Sequence, residues 1–472
     1  MGEPRDSREP IGSAQKPSRF HNTFVRVGTL GVVMMALLIP IWMVENLIRE
    51  REERRRDAVR EVSATWGGVQ EVGGPVLTLS VNARGKDAKG KPLVVHDHFW
   101  HLLPTELQIE GTVEPQLRRR GLFEVPLYRA RLKLTGRFVP WTKASAPDLS
   151  LVRWDSAQVS LPLSETRGLV EKVVLSWDGG KTELSSDAIE GTPTDKGLRT
   201  KLEGFTHERW ERGFGFRVDV VLQGSEQLRF LPLGESTQVN LKSTWTSPGF
   251  VGGFLPFERV LAASGFQATW KIPSLARGFA QQWRGGGKAA EWEKATFGVR
   301  LVLPVDHYQQ SSRSVKYAEL FLLLTFAAFF LFELLLRARL HPMNYLLVGF
   351  AMCLFYLLLV ALSERMPFGG AYWISAMATV GLIGAYARAI VRHRSAAAGL
   401  VGLLGVLYGY LYVLLRLEDS SLLLGALALF VVLAMVMYLT RNLDWYNVSD
   451  GYSRGEEGQV HHGAKSESTV AV

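Results

Sequence analysis

Six apolar stretches, one near the N-terminus and five crowded into the C-terminal third, constrain this chain more than anything else in it. Between Phe24 and Ile48, about 18 nearly uninterrupted apolar residues (Val27 to Val44) are bounded by Arg26 and Glu45, enough at 1.5 Å per residue to cross most of a bilayer core of roughly 30 Å. No small-x-small cleavage site follows Trp42-Met43-Val44, so the segment reads as an uncleaved anchor and not as a signal peptide. The five later stretches run from Ala318 to Leu336, Tyr345 to Leu362, Phe368 to Val391, Ala397 to Leu415 and Leu422 to Thr440. The pattern predicts a polytopic α-helical membrane protein of six transmembrane helices, with a large β-rich extracytoplasmic domain inserted between helices 1 and 2. Its parts are a disordered tail (1–22), helix 1 (24–48), the domain (49–316), a five-helix bundle (318–440) and a second disordered tail (441–472).

Orientation follows from arginine in the short loops. Arg337 and Arg339, then Arg388, Arg392 and Arg394, are uncompensated, whereas the alternate loops hold Arg365 beside Glu364 and Arg416 beside Glu418 and Asp419. Positively charged short loops stay cytoplasmic, which puts both termini in the cytoplasm, in agreement with Arg5, Arg8, Lys16 and Arg19. The long central block then lies outside, since long domains translocate regardless of their own charge.

Composition removes several function classes. The chain of 472 residues has 54 Lys+Arg against 45 Asp+Glu, with no basic run dense enough for a nucleic-acid surface. One cysteine, Cys353, permits no intramolecular disulfide and no cysteine cage for a metal.

Within the central block, Glu45 to Val62 keeps helical character, with Glu50/Arg54 and Glu52/Arg56 at i,i+4, and should stop near Trp66-Gly67-Gly68. Alternating segments follow and predict strands over Tyr128 to Phe138, Lys172 to Trp177, Gly215 to Leu222, Gln238 to Thr244, Ala268 to Ile272 and Gly298 to Leu303, in one or two packed antiparallel sheets. Two Leu-Pro-Leu segments, at 161–163 and 231–233, are each followed by a glutamate and a strand ending at Trp177 or Trp245, a weak hint of duplication.

Several motifs resemble a known family. Arg120-Gly121-Leu122-Phe123-Glu124-Val125-Pro126-Leu127-Tyr128, Gly249-Phe250-Val251-Gly252-Gly253-Phe254-Leu255-Pro256, and Pro304, Asp306 and Tyr308 within Pro304-Val305-Asp306-His307-Tyr308 resemble stretches of the CreD family of Gram-negative inner-membrane proteins. Lys316-Tyr317-Ala318, His341-Pro342 with Tyr345-Leu346-Leu347-Val348-Gly349, and Phe355-Tyr356-Leu357-Leu358-Leu359 with Ser363-Glu364 extend the likeness in one order from about Leu37 to about Ala385, less clearly over the last two stretches. The resemblance implies an inner-membrane protein associated with cell-envelope integrity and a two-component regulon, with no catalytic motif to carry over.

Candidate sites are few. His96 and His98 would share one face of a strand with His101 near by, a weak set for a metal because tetrahedral zinc needs further ligands. Gly180-Lys181-Thr182 looks like the end of a phosphate loop, yet the first glycine of that pattern is replaced by Leu175, and Asp178-Gly179 reads better as a hairpin turn. Glu319 and Glu333 lie near opposite ends of the second span, and Arg337 at i+4 would satisfy Glu333, so both read as anchors before they read as an ion relay. Gly402, Gly405 and Gly409, and Ala371, Ser375 and Thr379, form small-residue stripes suited to close helix packing, with oligomer formation as a second use. No cofactor and no catalytic residue is expected. The favoured function is an envelope-maintenance protein holding a periplasmic binding or scaffold domain, with membrane lipids and an envelope protein or glycan as partners. The alternatives are a sensor or small transporter reading an envelope ligand and, third, a hydrolase built on two converging carboxylates.

Overall fold

The computed structural model describes residues 19–86, 92–140, 148–178, 180–186, 196–285, 289–303, 307–336, 341–390, 394–417 and 421–441. The chain divides into two compact units: Met1–Glu52 with Asp306–Val472, and Glu53–Val305. Of the tails expected to be disordered, residues 1–18 and 442–472 lie outside the described residues, while 19–22 already belong to the first helix.

In chain order, helix α1 (Arg19–Trp66) is followed by strands β1 (Gln70–Gly73), β2 (Val76–Lys86), β3 (Pro92–Leu102), β4 (Glu106–Arg120), β5 (Phe123–Phe138), β6 (Val152–Pro162), β7 (Val174–Trp177), β8 (Gly180–Glu183) and β9 (Gly197–Lys201). The short helix α2 (His207–Arg212) leads to β10 (Phe214–Ser225), β11 (Gln227–Leu231), β12 (Ser236–Ser243), β13 (Pro248–Gly252), β14 (Glu258–Ala262), β15 (Gly265–Pro273) and β16 (Gln282–Arg284). After α3 (Ala289–Lys294) and β17 (Phe297–Leu301) come α4 (His307–Lys316), α5 (Ala318–Leu336), α6 (Pro342–Ser363), α7 (Phe368–Ile390), α8 (Arg394–Arg416) and α9 (Ser421–Thr440).

Helix α1 ends where glycine allows it to. Gly67, just past the last helical residue, has φ +124°, a backbone conformation that costs glycine little and other residues much. The strands that follow form three sheets, ordered β1-β11-β17-β13, β14-β15-β12-β4-β5-β10-β7-β8 and β16-β3-β2-β6-β9. The expectation of one or two antiparallel sheets therefore undercounts them. It also misses two parallel joins, β1 with β11 and β12 with β4, which bring together segments more than a hundred residues apart. β7 and β8 pair antiparallel with Trp177 opposite Gly180; of the expected Asp178-Gly179 turn, Gly179 lies outside the described residues.

The eight-stranded sheet shows the two-residue period directly. Leu107, Ile109 and Val113 of β4, Ala130, Leu132 and Leu134 of β5, and Phe216, Val218 and Val220 of β10 are buried, while the intervening residues are polar. The central β2 of the five-stranded sheet is buried on both faces from Val76 to Val81, so its side chains meet core on either side. One continuous apolar core, including Trp270, Phe230, Phe297 and Phe138, serves all three sheets.

In the other unit, a second core joins the Leu37–Ile48 part of α1 to α4–α8. Four described helical segments are long and apolar enough to cross a membrane: Gly28–Trp66, Pro342–Ser363, Phe368–Ile390 and Ala397–Arg416. The described apolar runs Ala318–Phe330 of α5 and Leu423–Met435 of α9 are shorter. Short links make consecutive helices α5 to α8 antiparallel, and α8 packs back on α5. Helix α6 starts on a proline at its first turn, with the His341 imidazole accepting from the Met343 amide at 3.3 Å. The two small-residue stripes differ. Ala371, Ser375 and Thr379 are buried, but a Cβ at Gly402, Gly405 or Gly409 would meet nothing within 4 Å, so intramolecular packing does not account for the α8 glycines.

Candidate functional site

The polar face of the eight-stranded sheet is open over five strands. Register aligns its side chains into rows that run across β15, β12, β4, β5 and β10. One row is Lys271, Gln238, Gln108, Thr135 and Arg217; the next is Thr269, Asn240, Glu110, Lys133 and Asp219; the third is Gln267, Lys242, Thr112, Arg131 and Val221. The second and third rows, Thr269 excepted, line a shallow depression of about 720 Å³.

Charges on this face are largely paired. Lys133 Nζ lies 3.5 Å from Glu110, Arg217 Nε donates to Asp219 at 2.8 Å, and Arg131 donates to Glu114. The Arg217 pKa is pushed up by that hydrogen bond and by the Asp219 charge. The two carboxylates of the depression, Glu110 and Asp219, thus each stand beside a cation. Lys242 has no ion-pair partner among the described residues, and with Asn240, Thr112 and Gln267 it supplies donors and acceptors directed away from the core. Such a surface forms many hydrogen bonds with an extended polar ligand and few apolar contacts.

The histidines weighed as metal ligands lie on β3, His96 and His98 at a register shift and His101 near its end. The β2–β3 register slips between Val81 and Asn82, so His98 lies opposite Val81 and His96 opposite Asn82, leaving Asp97 as an extra residue. His101 sits in the core: its Nδ1 is 2.9 Å from Thr78 Oγ1, and its ring stacks on Trp283 with centroids 5.0 Å apart. Burial lowers its pKa from 6.5 to about 4, against a weaker opposing backbone hydrogen bond at Gly285. Among the described residues no group of three or more His, Cys, Asp or Glu is placed to hold a metal.

Glu319 is exposed at the start of α5. Glu333 is half-buried and accepts a hydrogen bond of 2.8 Å from the Tyr345 hydroxyl of α6; Arg337, its expected partner, lies outside the described residues. Pro304 and Asp306 also lie outside them, Tyr308 falls in α4, and His341-Pro342 forms the start of α6.

A family model described as "Inner membrane protein CreD" matches residues 22–446. The chain belongs to the CreD family. It is similar to the inner membrane protein CreD of Escherichia coli (strain K12), with 31% identity over 436 residues that cover 90% of this chain and 94% of that protein. This member of the CreD family is thus an inner-membrane protein, and the likeness includes α8 and α9, where the motifs alone were less clear.

Sequence reasoning missed the rows of the open face. The strand expected over Gln238 to Thr244 overlaps β12, but β4 is not among the expected strands, and neighbouring strands cannot be read from local alternation. It also missed Arg277, a buried cation whose Nη1 donates to Gly234 O at 2.7 Å and Pro232 O at 3.1 Å, with its pKa lowered to about 10 by burial. Arg277 saturates loop carbonyls below the second Leu-Pro-Leu segment, a structural task.

Proposed function

We propose that this CreD-family protein crosses the inner membrane six times with both termini cytoplasmic, and that its β domain lies in the periplasm as a non-enzymatic binding or scaffold module for envelope maintenance. The partner is an envelope glycan or protein met by the open sheet face. The observation that carries this reading is the set of three aligned rows across five strands, polar at every position but Val221, on a face that the described residues leave largely exposed. Donors and acceptors repeated in register over five strands suit an extended polar partner.

Photo-crosslinking from Thr112, Asn240 and Lys242 in intact cells tests it. Recovery of one glycan or one envelope protein from all three positions supports the reading, and recovery of bulk neighbours alone overturns it. A second reading, a sensor or small transporter, is favoured by one observation: unpartnered hydroxyls inside the helical bundle, those of Tyr356 and Tyr408 among them.

A further inference from the structure

The interior of the α5–α8 bundle contains hydroxyls that no described group satisfies. Thr325 of α5, Tyr356 of α6, Ser375 of α7 and Tyr408 of α8 are each at most 2% exposed, and their side-chain oxygens have no hydrogen-bond partner among the described residues. One hydroxyl comes from each of four consecutive helices.

Their spacing along the helices is what makes them a group. Thr325 is seven residues after Ala318, Tyr356 seven before Ser363, Ser375 seven after Phe368, and Tyr408 eight before Arg416. In an antiparallel bundle those four helix ends lie on one side, so each hydroxyl-bearing residue is roughly 10–12 Å from the same end at 1.5 Å per residue. Aromatic rings tie the level together. The Phe355 ring lies 4.9 Å from Tyr356, 5.5 Å from Tyr372 and 4.8 Å from Tyr408 between centroids. The Tyr372 hydroxyl donates to the Tyr408 carbonyl at 2.5 Å, and the Tyr408 ring meets Phe321 of α5 at 5.4 Å.

A buried hydroxyl without a partner costs on the order of 1–3 kcal/mol, and apolar surroundings offer nothing in return. Four at one level of a membrane bundle call for a ligand that both donates and accepts. Neither Glu319 nor Glu333 shares the level: one is exposed in the first turn of α5 and the other is 14 residues further along, bonded to Tyr345. A neutral ligand of small size fits these donors. We propose that this level is a hydration site, in which internal water bridges Thr325, Tyr356, Ser375 and Tyr408.

The test is pulsed X-ray footprinting of the full-length protein in lipid nanodiscs, because radicals generated from bound water label the side chains beside it. Tyr356 and Tyr408 are expected to be labelled at least fivefold faster than Phe230 and Phe297, which are as deeply buried in an apolar core, after correction for intrinsic reactivity. Labelling no faster than those phenylalanines overturns the proposal. Tyr356→Phe should also lower the labelling of Tyr408 at least twofold and lower the melting temperature. A Tyr408 rate unchanged by Tyr356→Phe, or a melting temperature raised by it, means that no shared water is held there, and the proposal fails.

Discussion

Leu37 of α1 occupies the space that a side chain on Gly349 of α6 would fill: a Cβ there would stand 3.1 Å from Leu37 Cγ and closer still to Cδ1. Both residues are buried, and the Cys353 thiol one turn on points at the Leu37 carbonyl at 3.8 Å. The N-terminal helix is therefore seated on α6 by close backbone approach, the kind of contact that holds helices together in lipid. Gly349→Ala should cost about 1–3 kcal/mol and Gly349→Leu more, read as a fall in melting temperature in detergent. An unchanged melt would show that α1 does not sit there.

The pH response of the β domain should carry the mark of His101. Its folded pKa of about 4 lies below its unfolded value near 6.5, so the unfolded chain takes up the proton first as pH falls. Stability from this group is complete above about pH 6.5 and is lost progressively down to about pH 4, by up to roughly 3 kcal/mol. Urea unfolding at pH 7 and pH 5 should show the loss, and in His101→Gln the slope between those values should flatten.

Gly67 predicts a local cost. Its φ of +124° and the Gln223 carbonyl 2.6 Å from the position a Cβ would take leave no room for alanine. Gly67→Ala should destabilise the domain by about 1–3 kcal/mol, measured by chemical denaturation.

On the domain surface, Arg120 donates to Glu61 at 2.5 Å with both side chains more than half exposed. Arg120→Ala should change stability by less than about 1 kcal/mol despite the short contact, because solvent screens such pairs. A larger loss would mean that the Arg120–Gly121 turn packs more tightly than its exposure indicates.

The proposed six-crossing arrangement is checked by reporter fusions. Alkaline phosphatase joined near residue 200 should be active, and a fluorescent protein joined after α9 should fold and glow in the cytoplasm. The opposite pattern at either point removes the periplasmic assignment.

Local chemistry was legible before the fold was. Gly67-Gly68 announced the end of α1 at Trp66, Asp178-Gly179 announced the β7–β8 hairpin, and the family motifs were readable residue by residue. What escaped depended on non-local partners. The parallel joins of β1 with β11 and β12 with β4 link segments whose own patterns are silent about each other. The register slip at Asp97 belongs to the pairing of β3 with β2, which the local pattern around His96 and His98 does not contain. The open face and the level of buried hydroxyls likewise exist only once strands and helices have chosen their neighbours.

The small four-stranded sheet has an implication for biogenesis. It places β1, the first strand of the domain, and β17, the last, on either side of β11. A nascent chain stalled anywhere before Phe297 would emerge with that seam unsewn and the buried Phe230 uncovered. On the proposed periplasmic placement, completion of translocation and closure of the seam would coincide, which would give quality control at the membrane a simple criterion.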